Sequence, residues 1–163
     1  MPLIVLFGFP GTGKTYIGKI FEKYFSYYFY DGDYDLTKEM KMAIKERKTF
    51  TDKMRNIFFK KLTKNILILK SKHKKLVVSQ TFIKEKYRVD LINKIPETKF
   101  ILIKTKKTIR EKRLAERHEY PLQMEYTRKM CLNFDKPMIN HQIIINNNDG
   151  VENIIKQIKL FNI

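Results

Sequence analysis

Cysteine is nearly absent from this chain: Cys131 is the only one, so no disulfide can close within it, and a reducing, cytoplasmic setting is the expectation. No run of about 18 apolar residues occurs, so no membrane-spanning helix is expected. The strand-like segment from Pro2 to Phe7 begins at once, which leaves no room for a signal peptide in this reading. The three histidines, His73, His118 and His141, have no metal-ligand spacing, so a zinc site lacks donors; His118 alone stands near an expected acceptor mouth. Internal repeats and low-complexity linkers are missing too, and 163 residues with 43% hydrophobic content describe one globular domain.

Acidic residues are scarce: 17 Asp and Glu face 34 Lys and Arg, a formal net charge of +17. The segment from Lys38 to Lys75 holds 14 of the basic residues against Glu39, Glu46 and Asp52. Two readings stay open, a face that binds a polyanion and a compositional bias, since Lys, Ile, Asn, Tyr and Phe together are the profile of an AT-rich genome. The basic residues are 27 Lys against 7 Arg, and Arg is the residue favoured for bidentate phosphate contacts. The nearby Phe50, Phe58 and Phe59 fall at helical core spacing rather than in a stacking array, so nucleic acid is the less favoured partner.

What is present is a phosphate-binding loop. Gly8-Phe9-Pro10-Gly11-Thr12-Gly13-Lys14-Thr15 fits G-x-x-x-x-G-K-[ST], after the apolar run Leu3 to Phe7 and before a helical pattern through Ile17, Ile20, Phe21 and Phe25. In that context the glycines let backbone N–H groups curl round an anion, with the positive end of a helix dipole behind them. Gly8, Pro10, Gly11, Thr12 and Gly13 are expected to cradle the phosphates of ATP. Lys14 would reach the β- and γ-phosphates and the Thr15 hydroxyl would ligate magnesium.

Five short apolar runs read as buried strands: Leu3 to Phe7, Tyr27 to Tyr30, Leu76 to Ser79, Phe100 to Ile103 and Gln142 to Ile145. Helical patterns fill the intervals, most clearly Arg55 to Lys70 and a closing helix through Val151, Ile154, Ile155 and Ile158. Alternation of this kind predicts an α/β fold, a parallel sheet covered on both faces. The second strand ends in Asp31-Gly32-Asp33, and ligands of such sheets bind outside the carboxyl ends of the strands. Asp31 is read as a magnesium ligand and Asp33 as the group that orients, or takes a proton from, an attacking hydroxyl; ordinary turn chemistry is the alternative. Asp35 is read as a possible helix cap. Arg113 and Arg117 lie four apart on a helical pattern, with Arg110 on the same side, so their guanidinium groups could close over the phosphates from a lid spanning roughly 106–122.

The order GFPGTGKT, YDGD, Thr51-Asp52-Lys53-Met54-Arg55, Lys84-Glu85-Lys86-Tyr87-Arg88, then Arg113-Leu114-Ala115-Glu116-Arg117 resembles the gluconate kinase family, within the wider shikimate kinase-like group of small P-loop kinases. The resemblance covers essentially the whole chain. It implies a P-loop kinase with a five-stranded parallel sheet, a helical lid, and transfer of the ATP γ-phosphate to a hydroxyl of a small acceptor such as an anionic sugar acid. Arg55 and Arg88 would then bind the acceptor's carboxylate as a fork, with Lys84 and Thr81 beside it and Arg110 at the nucleotide; for the arginines a surface salt bridge is the alternative. The chain departs from the family pattern on the acceptor side: Tyr34-Asp35-Leu36-Thr37 lacks the expected His, Gln80-Thr81 replaces a small pair, and an aspartate is displaced to Asp90. Alternatives are a 5′-hydroxyl polynucleotide kinase, a nucleoside or nucleotide kinase, and a non-catalytic ATP-binding module. A monomer or homodimer is expected.

Overall fold

The computed structural model describes residues 2–117 and 124–163. Its five strands are β1 (Leu3–Phe7), β2 (Tyr28–Asp31), β3 (Leu76–Ser79), β4 (Lys99–Lys104) and β5 (His141–Ile145), all parallel in the order β2-β3-β1-β4-β5. Seven α-helices lie among the described residues: α1 (Lys14–Phe25), α2 (Lys38–Lys45), α3 (Asp52–Lys72), α4 (Glu85–Lys94), α5 (Lys107–Ala115), α6 (Met124–Leu132) and α7 (Val151–Lys159). None of them is long and apolar enough to cross a membrane.

β1 takes the central position because it is apolar on both faces. Leu3, Val5 and Phe7 point into one core with Phe58, Leu62 and Ile66 of α3, while Ile4 and Leu6 point into a second with Ile17 and Phe21 of α1 and Ile154 of α7. Successive strand side chains alternate faces, so one five-residue run joins two cores. All five residues are fully buried, which at about 1.5–3 kcal/mol per large apolar side chain makes this strand the main anchor of the fold.

All five expected strands lie within a residue of their observed bounds at either end. β2 runs one residue later than expected, because Tyr28 pairs with Leu76 and Asp31 with Ser79, while Tyr27 turns under α1 onto the ring of Phe21. That shift carries Asp31 to the carboxyl end of the sheet. The insert between β2 and β3 is helical, as its pattern predicts, and Thr37 and Thr51 cap its two helices through the N–H groups of Met40 and Met54. Asp35 caps neither: it is buried, holding the Tyr30 hydroxyl at 2.9 Å and Asn65 at 2.6 Å. The carboxyl ends of all five strands therefore open on one side, where Gly8, Gly32, Gln80, Thr105 and Asn146 follow them.

Candidate active site

The loop between β1 and α1 is shaped by contacts that a side chain would break. Gly13 has φ 87°, and a Cβ there would stand 2.3 Å from the Asn146 amide nitrogen. Asn146, just past β5, donates to the Thr12 carbonyl at 2.8 Å, and the Thr105 hydroxyl donates to the same oxygen at 3.1 Å. The loop is thus tied from behind by the ends of β4 and β5. It borders a cavity of about 330 Å³, whose lining includes Pro10, Gly11, Gly13, Lys14 and Thr15. The Lys14 ammonium lies at the cavity wall, donating to the carbonyls of Gly8 at 3.1 Å and Phe9 at 2.9 Å. Burial lowers its pKa to about 8, partly offset by the nearby carboxylates of Asp33 and Asp31.

Opposite the loop stand the two carboxylates. The Thr15 hydroxyl donates to Asp31 Oδ2 at 3.0 Å, which joins the two residues expected to hold magnesium. Asp31 and Asp33 do not project from an extended strand, because Gly32–Asp35 forms a 3-10 turn capped by Asp31 Oδ1, which accepts from the Asp33 N–H at 3.0 Å. The turn brings Asp33 over the end of β3. There Gln80 Nε2 donates to Asp33 Oδ1 at 3.0 Å, while Gln80 Oε1 accepts from the Thr81 N–H at 2.7 Å. A Cβ on Gly32 would lie 3.2 Å from the same amide nitrogen and 2.8 Å from the Ser79 carbonyl, so glycine is what admits this close approach. The Asp33 pKa is raised, by burial first and by the Asp31 charge next, against the Gln80 hydrogen bond and the positive charges of Lys14 and Arg117.

The three arginines of the expected lid take different stations. Arg113 lines the cavity and holds the loop, donating to the Gly11 carbonyl at 3.2 Å, the Asn146 carbonyl at 3.2 Å and Asn148 Oδ1 at 2.6 Å. Arg117, just beyond α5, lines the cavity with an exposed side chain. Arg110 does not line it: its guanidinium sits 4.7 Å from the Phe9 ring centre and donates to Cys131 Sγ at 3.1 Å, backing the loop rather than facing a nucleotide. The far part of the expected lid, His118 included, lies outside the described residues.

Two acceptor-side expectations are corrected. Arg88 forms no anion fork: it is fully buried between the rings of Phe7 and Phe134 and spends its donors on the carbonyls of Phe82 at 2.8 Å and Asp135 at 3.0 Å and on Glu85 at 2.6 Å. It pins the loop after β3, where Phe82 holds a strained φ of 45°. Lys84 is paired with Asp135 at 3.2 Å and lines no part of the cavity. Thr81 does line it, and Arg55 stands in an adjoining crevice, with Nη1 3.2 Å from Asp52 and a buried Nε that has no partner among the described residues.

Sequence reasoning passed over Gln80 as a partner of Asp33, Asn146 and Thr105 as loop ties, and Phe50 and Tyr126 as lining of the cavity. A polar residue directly after a parallel strand was the available signal for the first three. The basic residues of Lys38 to Lys75 lie on α2, α3 and their flanking turns, and Phe58 and Phe59 are buried in the core, so they offer no stacking surface.

Residues 10–160 match the family described as shikimate kinase. No curated protein matches the sequence closely enough to align. A sugar kinase from Janibacter sp. HTCC2649 shares the fold with a TM-score of 0.83 at 15% identity, over 98% of this chain and 93% of that one. A gluconokinase from Sinorhizobium meliloti 1021 gives 0.80 at 18% identity, over 96% and 88%. A deoxyadenosine kinase from M. mycoides with bound dATP gives 0.67 at 14% identity, over 96% and 97%.

Proposed function

Because the chain belongs to the shikimate kinase family, a group of small P-loop kinases, we propose that it transfers the γ-phosphoryl group of ATP to a hydroxyl of a small acceptor. The observation that carries this is the convergence of Lys14, the Thr15–Asp31 pair and Asp33 on one cavity. Lys14 and the loop N–H groups bind the β- and γ-oxygens. The Thr15 hydroxyl and the Asp31 carboxylate are hard oxygen donors that fit magnesium, with phosphate oxygens and water completing its shell, since no cluster of three or more His, Cys, Asp or Glu occurs among the described residues. Held there, magnesium would supply positive charge to the phosphates during transfer.

Asp33 does the proton work. With Oδ1 held by Gln80, Oδ2 is left to accept the proton of the acceptor hydroxyl as its oxygen bonds to phosphorus and the bond to the ADP oxygen breaks. Arg117 and Arg113 add positive charge where the equatorial oxygens carry negative charge. A sugar acid as acceptor, the gluconokinase-like reading, is favoured by the order of the sequence segments, and the apolar part of the cavity lining weighs against it. Cytoplasmic action is the matching proposal for an enzyme with a single thiol that uses ATP.

The test is magnesium-dependent ADP release that rises at least about tenfold when a hydroxyl acceptor is added, as expected of a site that holds water away from the phosphate. Release that no acceptor changes would remove the phosphotransferase reading. Gln80→Leu tests the proton step. Loss of the donor raises the Asp33 pKa further, so a larger share is protonated at acid pH and the acid limb of kcat against pH moves to higher pH, with turnover recovering on the alkaline side. An unmoved acid limb would show that Gln80 does not act through Asp33.

A further inference from the structure

The two ends of the cavity differ in chemistry. Beside Asp33 its lining includes Leu36, Ile44, Phe50, Tyr126 and Met130, with Ser79, Gln80 and Thr81 as polar neighbours, and one hydrogen-bonding site on each amide atom of Gln80 is already engaged. A crevice of about 50 Å³ opens from the same wall, since Leu36, Phe50, Thr81, Tyr126 and Met130 line both spaces, and Phe58, Phe59 and Phe82 close its far side. The Arg55 side chain is 12% exposed, and its buried Nε is a donor without a partner among the described residues in this largely apolar recess, whose polar lining is otherwise Thr49, Gln80, Thr81 and Asn133.

A polyhydroxylated acid is a poor occupant of such a wall. Each of its hydroxyls gives up hydrogen bonds to water, and apolar side chains return none. A flat heteroaromatic ring carries its polar atoms only at the edge, so its faces give up no hydrogen bonds and gain stacking contacts with Phe50 and Tyr126. The crevice is smaller than the roughly 150 Å³ that a whole benzene ring fills, so it takes a ring edge rather than a ring. An edge that carries a carbonyl or ring nitrogen supplies the acceptor that the Arg55 donor lacks.

Resting on the phosphotransferase reading above, we propose that the acceptor is a nucleoside unit: its heteroaromatic base lies against Phe50 and Tyr126, its edge accepts from Arg55, and its sugar hydroxyl meets Asp33. The hydroxyl oxygen bonds to the γ-phosphorus of ATP, ADP leaves, and the proton passes to Asp33. The +17 net charge leaves two sources for this chemistry, a free nucleoside and the 5′-hydroxyl end of an oligonucleotide.

The experiment follows labelled γ-phosphate from ATP into adenosine, guanosine, cytidine, uridine, their 2′-deoxy forms, a 5′-hydroxyl dinucleotide and gluconate, with MgATP binding measured by calorimetry on the same protein. At least one nucleoside is expected to exceed gluconate in kcat/KM by about 100-fold, the size of a pocket that fits one acceptor and leaves the other unpaired. Arg55→Lys, which keeps the charge and loses Nε, is expected to raise the KM for that nucleoside about tenfold with the KM for ATP unchanged. Labelling of the dinucleotide alone keeps the nucleoside chemistry and assigns its source to a polymer end. Gluconate labelled with every nucleoside inert overturns the inference and leaves the phosphotransferase standing. No labelling of any acceptor overturns it too, and absent MgATP binding then removes the phosphotransferase reading with it.

Discussion

Lys14→Met is expected to lower acceptor-dependent turnover by about 10²–10³-fold, the usual cost of losing one preorganised charge or donor at a developing anion. The ammonium is the one cation built into the phosphate loop itself, held by the carbonyls of Gly8 and Phe9 beside the site of transfer. Unfolding will not explain the loss. Burial has lowered the Lys14 pKa from 10.5 to about 8, so the charged form is disfavoured in the fold relative to the unfolded chain. That destabilising contribution is full below about pH 8 and is relieved as pH rises toward 10.5. At pH 7 the methionine variant, similar in shape and uncharged, should therefore melt at or above the temperature of the parent. Thermal melting and turnover measured together decide the matter: near-parental turnover, or a lower melting temperature in step with lost activity, would go against a catalytic Lys14.

The parts of this site that were legible in the sequence are those fixed by the covalent chain. The phosphate loop is eight consecutive residues between a strand and a helix, and any fold that keeps both must aim Lys14 and Thr15 at one place. The Asp31-Gly32-Asp33 turn is legible for the same reason, since a strand of a parallel sheet ends at the ligand side. The pairing of Thr15 with Asp31 across 16 residues follows once α1 and β2 pack together, which the shared apolar pattern of both elements announces.

What stayed illegible depends on distant crowding. Arg88 ends the segment Lys84-Glu85-Lys86-Tyr87-Arg88, which the family resemblance assigns to the acceptor, yet Phe7 from β1 and Phe134 from beyond α6 close over it and the Asp135 carbonyl takes a donor. None of those neighbours is local, so helical periodicity could not report that this face of α4 is the buried one. Gln80 bonds a carboxylate 47 residues away, and the apolar lining of the cavity gathers Leu36, Phe50 and Tyr126 from three separate segments. An apolar residue at a helical core position reads the same whether it faces the core or a recess beside a carboxylate.

Asp33→Asn should reduce turnover by about 10²–10⁴-fold, the range of a lost general base, while MgATP still binds. The substitution is close to isosteric, and the asparagine Oδ1 can still accept from Gln80 Nε2, so the geometry of the turn persists. What disappears is Oδ2 as a proton acceptor, replaced by an amide that only donates. Asp31→Asn should behave differently. Its Oδ1 can keep the hydrogen bond from the Asp33 N–H, and so the 3-10 turn, but the carboxylate charge beside the Thr15 hydroxyl is gone. The expected result is a higher magnesium concentration for half-maximal rate, with turnover recovering at saturating magnesium. Removing the Asp31 charge also removes one of the influences that raise the Asp33 pKa, so the acid limb of the Asp31→Asn rate profile should move to lower pH, opposite to the shift expected for Gln80→Leu. If the two aspartate variants instead lose turnover alike at every magnesium concentration, with no shift of the acid limb, the carboxylates act as one unit and the division between metal ligand and base is wrong.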